Sequence, residues 1–201
     1  MTRVAILISG TGTNMATILN KINKGDLPCD VAFVASDNPN AGGLHYAESI
    51  GVKTVVLPYK AQSREDAEEF LHELCISEHI EWIVLAGFMK ILSSKFVRRW
   101  ENKIVNIHPA LLPSFPGTNG IKDAWDYGVK ITGVTIHLVD HGVDSGIILA
   151  QKAVPIENQD TLESLTVKIH ETEHLLYWKT LKKLFEGSYS FCERRSIDGC
   201  N

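Results

Sequence analysis

The sequence predicts an α/β protein built on an open, mostly parallel sheet with helices on both of its faces. Three observations predict it. Apolar runs alternate with amphipathic segments from the N-terminus to residue 108. The runs are continuous rather than alternating, as in strands covered on both sides. Polar, glycine- or asparagine-bearing stretches follow several of the runs, at the ends where parallel sheets carry their ligand sites.

Residues 3–9 (RVAILIS) are such a run, closed by Gly10. Residues 14–25 then carry Met15, Ile18, Leu19 and Ile22 at helical spacing, with Gly25 suited to end the helix. A second strand is expected over 30–36, a short helix over 43–51 and a third strand over 53–58. Residues 63–79 read as a helix capped by Ser63, with Asp66 three residues on. A strand over 81–87, a short helix over 93–100 and a strand over 103–108 complete the regular alternation.

The pattern changes after His108. Pro109, Pro113 and Pro116 rule out an ordinary helix or an interior strand and stiffen the chain for about a dozen residues. Residues 131–140 and 146–156 are two strands joined by a tight glycine-bearing connection. They are expected to pair as neighbours, which places an antiparallel strand near the C-terminal side of a Rossmann-like sheet. A long helix follows over 160–187, with Asp160 as N-cap, Glu163 at N3, Gly187 at its end and Leu162, Leu165, Ile169, Leu176 and Leu184 on its apolar face. Residues 1–187 read as a single domain, and 188–201 as a polar tail with room for one short strand.

The bulk composition narrows the function classes. A net charge of -4 with no basic block gives no footprint for nucleic acid. No stretch has the ~18 consecutive apolar residues of a membrane span, and the N-terminus lacks a signal-peptide pattern. The four cysteines form no C-x-x-C pair and have no histidine spaced for zinc. The expectation is a reduced, soluble, cytoplasmic protein that needs no metal, acts on small molecules and leaves its oligomeric state open.

Two groups of residues carry chemistry. In SGTGTN, after the first strand, Gly10 and Gly12 let the backbone approach a ligand, and the N–H groups of Gly12, Thr13 and Asn14 point outward at a helix start that favours an anion. Met15 stands where a dinucleotide fingerprint has its third glycine, and no G-K-[ST] follows, so a single phosphate suits the turn better than a pyrophosphate or triphosphate. A tight turn without a ligand is the plain alternative. In NIHP, Asn106 and His108 lie two residues apart and so share a strand face. An amide donor beside an imidazole suits a developing oxyanion. Asp144, in HGVDSG, is placed to orient or charge that imidazole. No nucleophile motif is present, which points to direct transfer rather than a covalent intermediate. His170 and Glu173 share a helix face at i, i+3, but no partner pair completes a metal site.

Together the segments ISGTGTN, LAGFMKIL, NIHPALLPSFPG, GVTIHLVDHGVDSGIILAQ and HETEH resemble the folate-dependent formyltransferases, within them the phosphoribosylglycinamide formyltransferase branch. The likeness runs from Arg3 to about Gly187. It implies transfer of a formyl group from 10-formyltetrahydrofolate, a co-substrate, to the amine of 5'-phosphoribosylglycinamide in purine biosynthesis. Gly12, Thr13 and Asn14 would hold the substrate phosphate, and His170, Glu171, Thr172 and Glu173 its glycinamide part. Arg64, the backbone around Met89, Lys90, Ile91 and Leu92, Asn106, and the loop of Asp140, His141, Gly142, Val143 and Asp144 would hold the folate. Asn106, His108 and Asp144 would be catalytic. The chain departs from the common pattern at Thr13, Lys90, Ala110 and Ile121, where Ser, Arg, Ser and His are frequent.

Three rivals stand beside this reading. Formyltetrahydrofolate deformylase would use water in place of the amine and usually carries an extra N-terminal domain. Methionyl-tRNA formyltransferase needs a basic C-terminal domain. A non-catalytic Rossmann-type nucleotide-binding module would use Asp37 to read a ribose and would leave Asn106, His108 and Asp144 without a task.

Overall fold

The computed structural model describes residues 1–189. Five parallel strands come first: β1 (Thr2–Ile8), β2 (Cys29–Ser36), β3 (Thr54–Val56), β4 (Trp82–Leu85) and β5 (Ile104–His108). They are joined through α1 (Thr13–Asn23), α2 (Gly42–Ser49), α3 (Arg64–Ser77) and α4 (Ser94–Arg99). Then follow α5 (Gly120–Tyr127), β6 (Ile131–Leu138), β7 (Ile148–Pro155) and α6 (Leu162–Phe185). The sheet order is β3-β2-β1-β4-β5-β6-β7. β6 runs antiparallel to β5, and β7 antiparallel to β6. Among the described residues β6 is therefore the one reversed strand, as expected near the C-terminal side. The order turns back between β1 and β4, the place where open sheets of this kind hold ligands at the carboxyl ends of their strands.

The continuous apolar runs have a direct cause in the core. On β1, Val4, Ile6 and Ile8 join a cluster with Met15, Ile18, Leu165, Ile169 and Tyr177. Ala5 and Leu7 face the other side, with Leu71, Cys75, Phe96 and Trp100. Successive side chains leave a strand on opposite faces, so a strand covered on both sides must be apolar at every position. The Tyr177 hydroxyl, fully buried on α6, donates to the Leu85 carbonyl at 2.9 Å and lies 3.1 Å from that of Val105, tying α6 to the ends of β4 and β5.

Three details differ from the sequence reading. The segment after the prolines forms α5, which the pattern did not announce. Its N-cap Asn119 makes no side-chain cap bond, and a helix that starts without a capping signal, on a glycine, is hard to see in a sequence. The cap of α6 is Thr161 rather than Asp160: Thr161 accepts from the Ser164 N–H, and the Ser164 hydroxyl accepts from the Thr161 N–H. Asp160 instead takes the Ser164 hydroxyl and the Lys168 ammonium. The buried face of α6 also includes Tyr177, Thr180, Leu181 and Glu173, while Leu162 and Leu176 are only partly covered. Ser63 and Ser93 cap α3 and α4 through their hydroxyls. Most of the expected 188–201 tail lies outside the described residues.

Candidate active site

The turn after β1 is shaped by Gly12. Its φ of 71° is left-handed, and a Cβ there would stand 2.8 Å from Met15 Cε and 3.1 Å from Gly43 Cα. Only glycine meets both conditions. Gly12 caps α1 without a side-chain hydrogen bond, so the first N–H groups of α1 have no side-chain acceptor. Behind the turn, the Asn14 amide donates to Glu173 Oε2 at 3.1 Å, and His170 Nδ1 donates to the same oxygen at 2.9 Å. The turn and α6, far apart in the sequence, thus form one polar wall. Glu173 is buried, and its hydrogen bond raises the pKa of His170. The Asn14 amide oxygen is buried without a protein partner. Thr172 donates its hydroxyl back to the Lys168 carbonyl, and Glu171 is exposed.

A cleft of about 170 Å3 opens at the ends of β4, β5 and β6. Met89, Lys90, Ile91 and Leu92 line one side, and Asp140, Gly142, Val143 and Asp144 another. Asn106 and His108 also border it. Met89 is 55% and Ile91 63% exposed, large apolar side chains left open beside a cleft. Two residues of the expected folate set, Arg64 and His141, do not line the cleft. Arg64 lies on α3 with its Nε 3.2 Å from Glu68 Oε1. Asp37, the ribose reader of the nucleotide-binding alternative, accepts the Ser9 hydroxyl at 2.5 Å and faces Lys90 Nζ at 3.6 Å.

At the inner end of the cleft, β5 and β6 place Asn106 directly across from His137. Asp144 reaches both histidines: its Oδ2 lies 3.3 Å from His108 Nδ1, and its Oδ1 lies 3.5 Å from His137 Nε2. The Gly117 N–H also donates to Oδ2 at 2.8 Å. Asp144 adopts a left-handed φ of 51°, a conformation that Asp tolerates better than most residues and that turns its carboxylate inward. His108 Nε2 donates to the Phe115 carbonyl at 2.8 Å. His137 Nδ1 lies 2.9 Å from the Leu138 carbonyl and so carries a proton. A neutral His137 then accepts from the Asn106 amide, 3.2 Å from Nε2, whereas a protonated one donates to Asp144.

These contacts set the charges. Burial lowers the His108 pKa below its ordinary value, against the upward pull of Asp144 and the Phe115 carbonyl. Burial works to raise the Asp144 carboxyl, but the His137 contact, the Gly117 N–H and the nearby imidazoles outweigh it and hold its pKa low. The outcome is an ionised carboxylate beside a buried imidazole that holds a proton less readily than a free one.

The proline segment closes over this cluster as a strap. The Leu112 N–H donates to Thr135 Oγ, Thr135 donates to the Ala110 carbonyl, and Gln151 donates to the Leu112 carbonyl. Gly120 begins α5 against His108, where an added Cβ would stand 3.1 Å from Nε2.

His137 is the member that sequence reasoning passed over. Its signal was a histidine within an apolar strand, since a buried polar group in such a place requires a partner. Its partner lies 31 positions away, which one strand's pattern does not reveal.

The doubly wound sheet and the cluster of Asn106, His108, His137 and Asp144 at its carboxyl edge define an α/β protein with groups able to donate hydrogen bonds and move protons. Comparison with known proteins makes the class specific. The chain belongs to the formyl transferase family, which its residues 2–181 match. It is 35% identical over 185 residues to the phosphoribosylglycinamide formyltransferase of Bacillus subtilis, covering 92% of this chain and 95% of that one. It is 40% identical over 196 residues to the trifunctional purine biosynthetic protein adenosine-3 of Gallus gallus, but that match, 97% of this chain, spans only 20% of the larger protein. The crystal structure of the Bacillus halodurans phosphoribosylglycinamide formyltransferase superposes with a TM-score of 0.89 at 42% identity, covering 94% of this chain and 98% of that chain.

Proposed function

We propose that the protein transfers the formyl group of 10-formyltetrahydrofolate to the amine of 5'-phosphoribosylglycinamide, with residues 1–187 acting as one formyltransferase domain in the cytoplasm. Among the described residues no helix is long and apolar enough to cross a membrane. The observation that carries the reading is the Asp144 carboxylate held between His108 and His137, with the Asn106 amide in the same cluster, at the end of a cleft open toward Met89–Leu92. A flat fused ring suits that cleft: apolar Leu85, Phe88 and Val139 border it, and the irregular segment of Lys90, Ile91 and Leu92 runs along its side. The folate supplies the activated formyl carbon.

This chain's residues then have distinct tasks. Gly12, Thr13 and Asn14 present N–H groups to the phosphate. Glu173 and His170 bind near the amine-bearing part, on the wall they share with Asn14. Asn106 and His108 donate to the formyl oxygen as it gains negative charge during amine attack. The His108 Nε2–H that Phe115 accepts here is the one that turns to that oxygen. Asp144 stabilises the protonated imidazole and holds its orientation, while His137 aligns the Asn106 amide. Proton transfer from the amine to the leaving folate nitrogen passes through His108 or a water on Asp144.

The test is an assay of purified protein with 10-formyltetrahydrofolate, with and without 5'-phosphoribosylglycinamide. Deformylated folate formed only with the amine is the expected result. Equal product without the amine would make the protein a hydrolase, and no product in either mixture would leave a binding module.

A further inference from the structure

The stretch between β4 and α4 is irregular, yet it forms one wall of the cleft. It is pinned at two points. The Met89 N–H donates to Ser9 Oγ at 2.8 Å. At the far end, the Ser93 N–H donates to Glu68 Oε1 at 2.8 Å, and the Ser93 hydroxyl donates to Oε2. Glu68 lies on α3, 3% exposed, and neither it nor Ser93 lines the cleft. A carboxylate so withdrawn from water is costly unless its oxygens are hydrogen bonded. Here two of its contacts come from a single residue, and the third is Arg64 Nε. Ser93 also accepts the Phe96 N–H at 3.2 Å as the cap of α4. The carboxylate therefore fixes the point where the cleft wall ends and the helix begins.

We propose that Glu68 is a positioning residue for the formyl donor. By holding Ser93 it sets where the backbone of Lys90, Ile91 and Leu92 stands, and with it the fit of the folate ring, without touching the reacting atoms. This rests on the reading of the cleft as the folate site. The inference goes beyond that reading because it places the control of donor affinity in a buried side chain outside the cleft.

The test uses the full-length protein with Glu68→Gln, Glu68→Ala and Arg64→Ala. The Gln variant keeps a neutral acceptor for the Ser93 N–H, and the Ala variant removes the anchor. KM for the folate should rise about threefold in the former and about tenfold or more in the latter, as expected for charge-assisted hydrogen bonds. The kcat and the KM for the amine should stay within about twofold, because the phosphate turn and the catalytic cluster do not depend on Ser93. Amide hydrogen exchange across residues 89–93 should quicken in the Gln variant without any substrate. Unchanged folate KM in both Glu68 variants, or a fall in kcat at constant KM, would overturn the proposal. So would an equal KM shift in Arg64→Ala, which would assign the effect to the guanidinium. A wild-type protein that never turns over the folate would overturn the functional reading instead. Exchange quickened in Glu68→Gln would then still support the anchor, and unchanged exchange would refute it.

Discussion

Replacing Asp144 with Asn is the most direct perturbation of the proposed mechanism. The substitution keeps the shape: its amide oxygen can still accept the Gly117 N–H that Asp144 accepts at 2.8 Å, while its NH2 takes the side facing His137. It removes one negative charge 3.3 Å from His108 Nδ1. In an effective dielectric of about 20, a unit pair at that distance is worth about 5 kcal/mol. The hydration that the carboxylate gives up on partial burial offsets part of this. A remaining loss of about 3 kcal/mol in stabilising the imidazolium corresponds to about 10²-fold in kcat. Steady-state formyl transfer should therefore fall by about 10²–10³, with KM for both substrates nearly unchanged and the thermal midpoint within a few degrees of wild type. His108 also loses the neighbour that pulls its pKa upward, so its titration moves to still lower pH, and activity should partly recover on acidification. A kcat within threefold of wild type would refute the reasoning. So would a large loss with an unchanged pH profile, since the charge on Asp144 would then not act through His108.

Further outcomes follow from the same contacts. Gly120→Ala places a methyl 3.1 Å from His108 Nε2, so kcat should drop by at least about tenfold while the denaturant midpoint changes little; normal turnover would show that the imidazole needs no such seat. Tyr177→Phe removes a buried hydroxyl that serves the Leu85 and Val105 carbonyls. It should cost about 1–2 kcal/mol in urea unfolding without altering the chemistry. Because burial holds the folded His108 below the ordinary 6.5, the unfolded chain binds its proton first as pH falls. The stability from a neutral His108 is complete above about pH 6.5 and shrinks as pH drops toward the folded pKa. Comparing urea unfolding near neutrality and at about pH 5, wild type should lose more stability than His108→Gln; parallel losses would count against the burial argument.

Much of the fold was legible in the sequence because it follows from local rules. Continuous apolar runs, the cap at Ser63 and glycines after helices reflect backbone geometry and the burial of both sheet faces. The missed features depended on distant partners. Helix α5 starts on Gly120 and settles against His108, and its place is governed by that contact rather than by a capping signal. Arg64 is held by Glu68, away from the cleft lining, and the contact of Glu68 with Ser93 forms only when α3 meets the end of the cleft wall.

The sequence by itself determined which residue types stand at the carboxyl ends of the strands. Periodicity and turn chemistry act over a few residues, so Gly12–Asn14, Asn106, His108 and Asp144 could be chosen from the linear pattern. Tertiary structure alone decided how those groups are charged and what holds them. Burial lowers His108, the inward turn at Asp144 brings one carboxylate to two imidazoles, and strand pairing sets His137 opposite Asn106. The physical reason is that desolvation and charge–charge interactions depend on distances through space, and those distances exist only once the sheet, the strap and α6 have packed together.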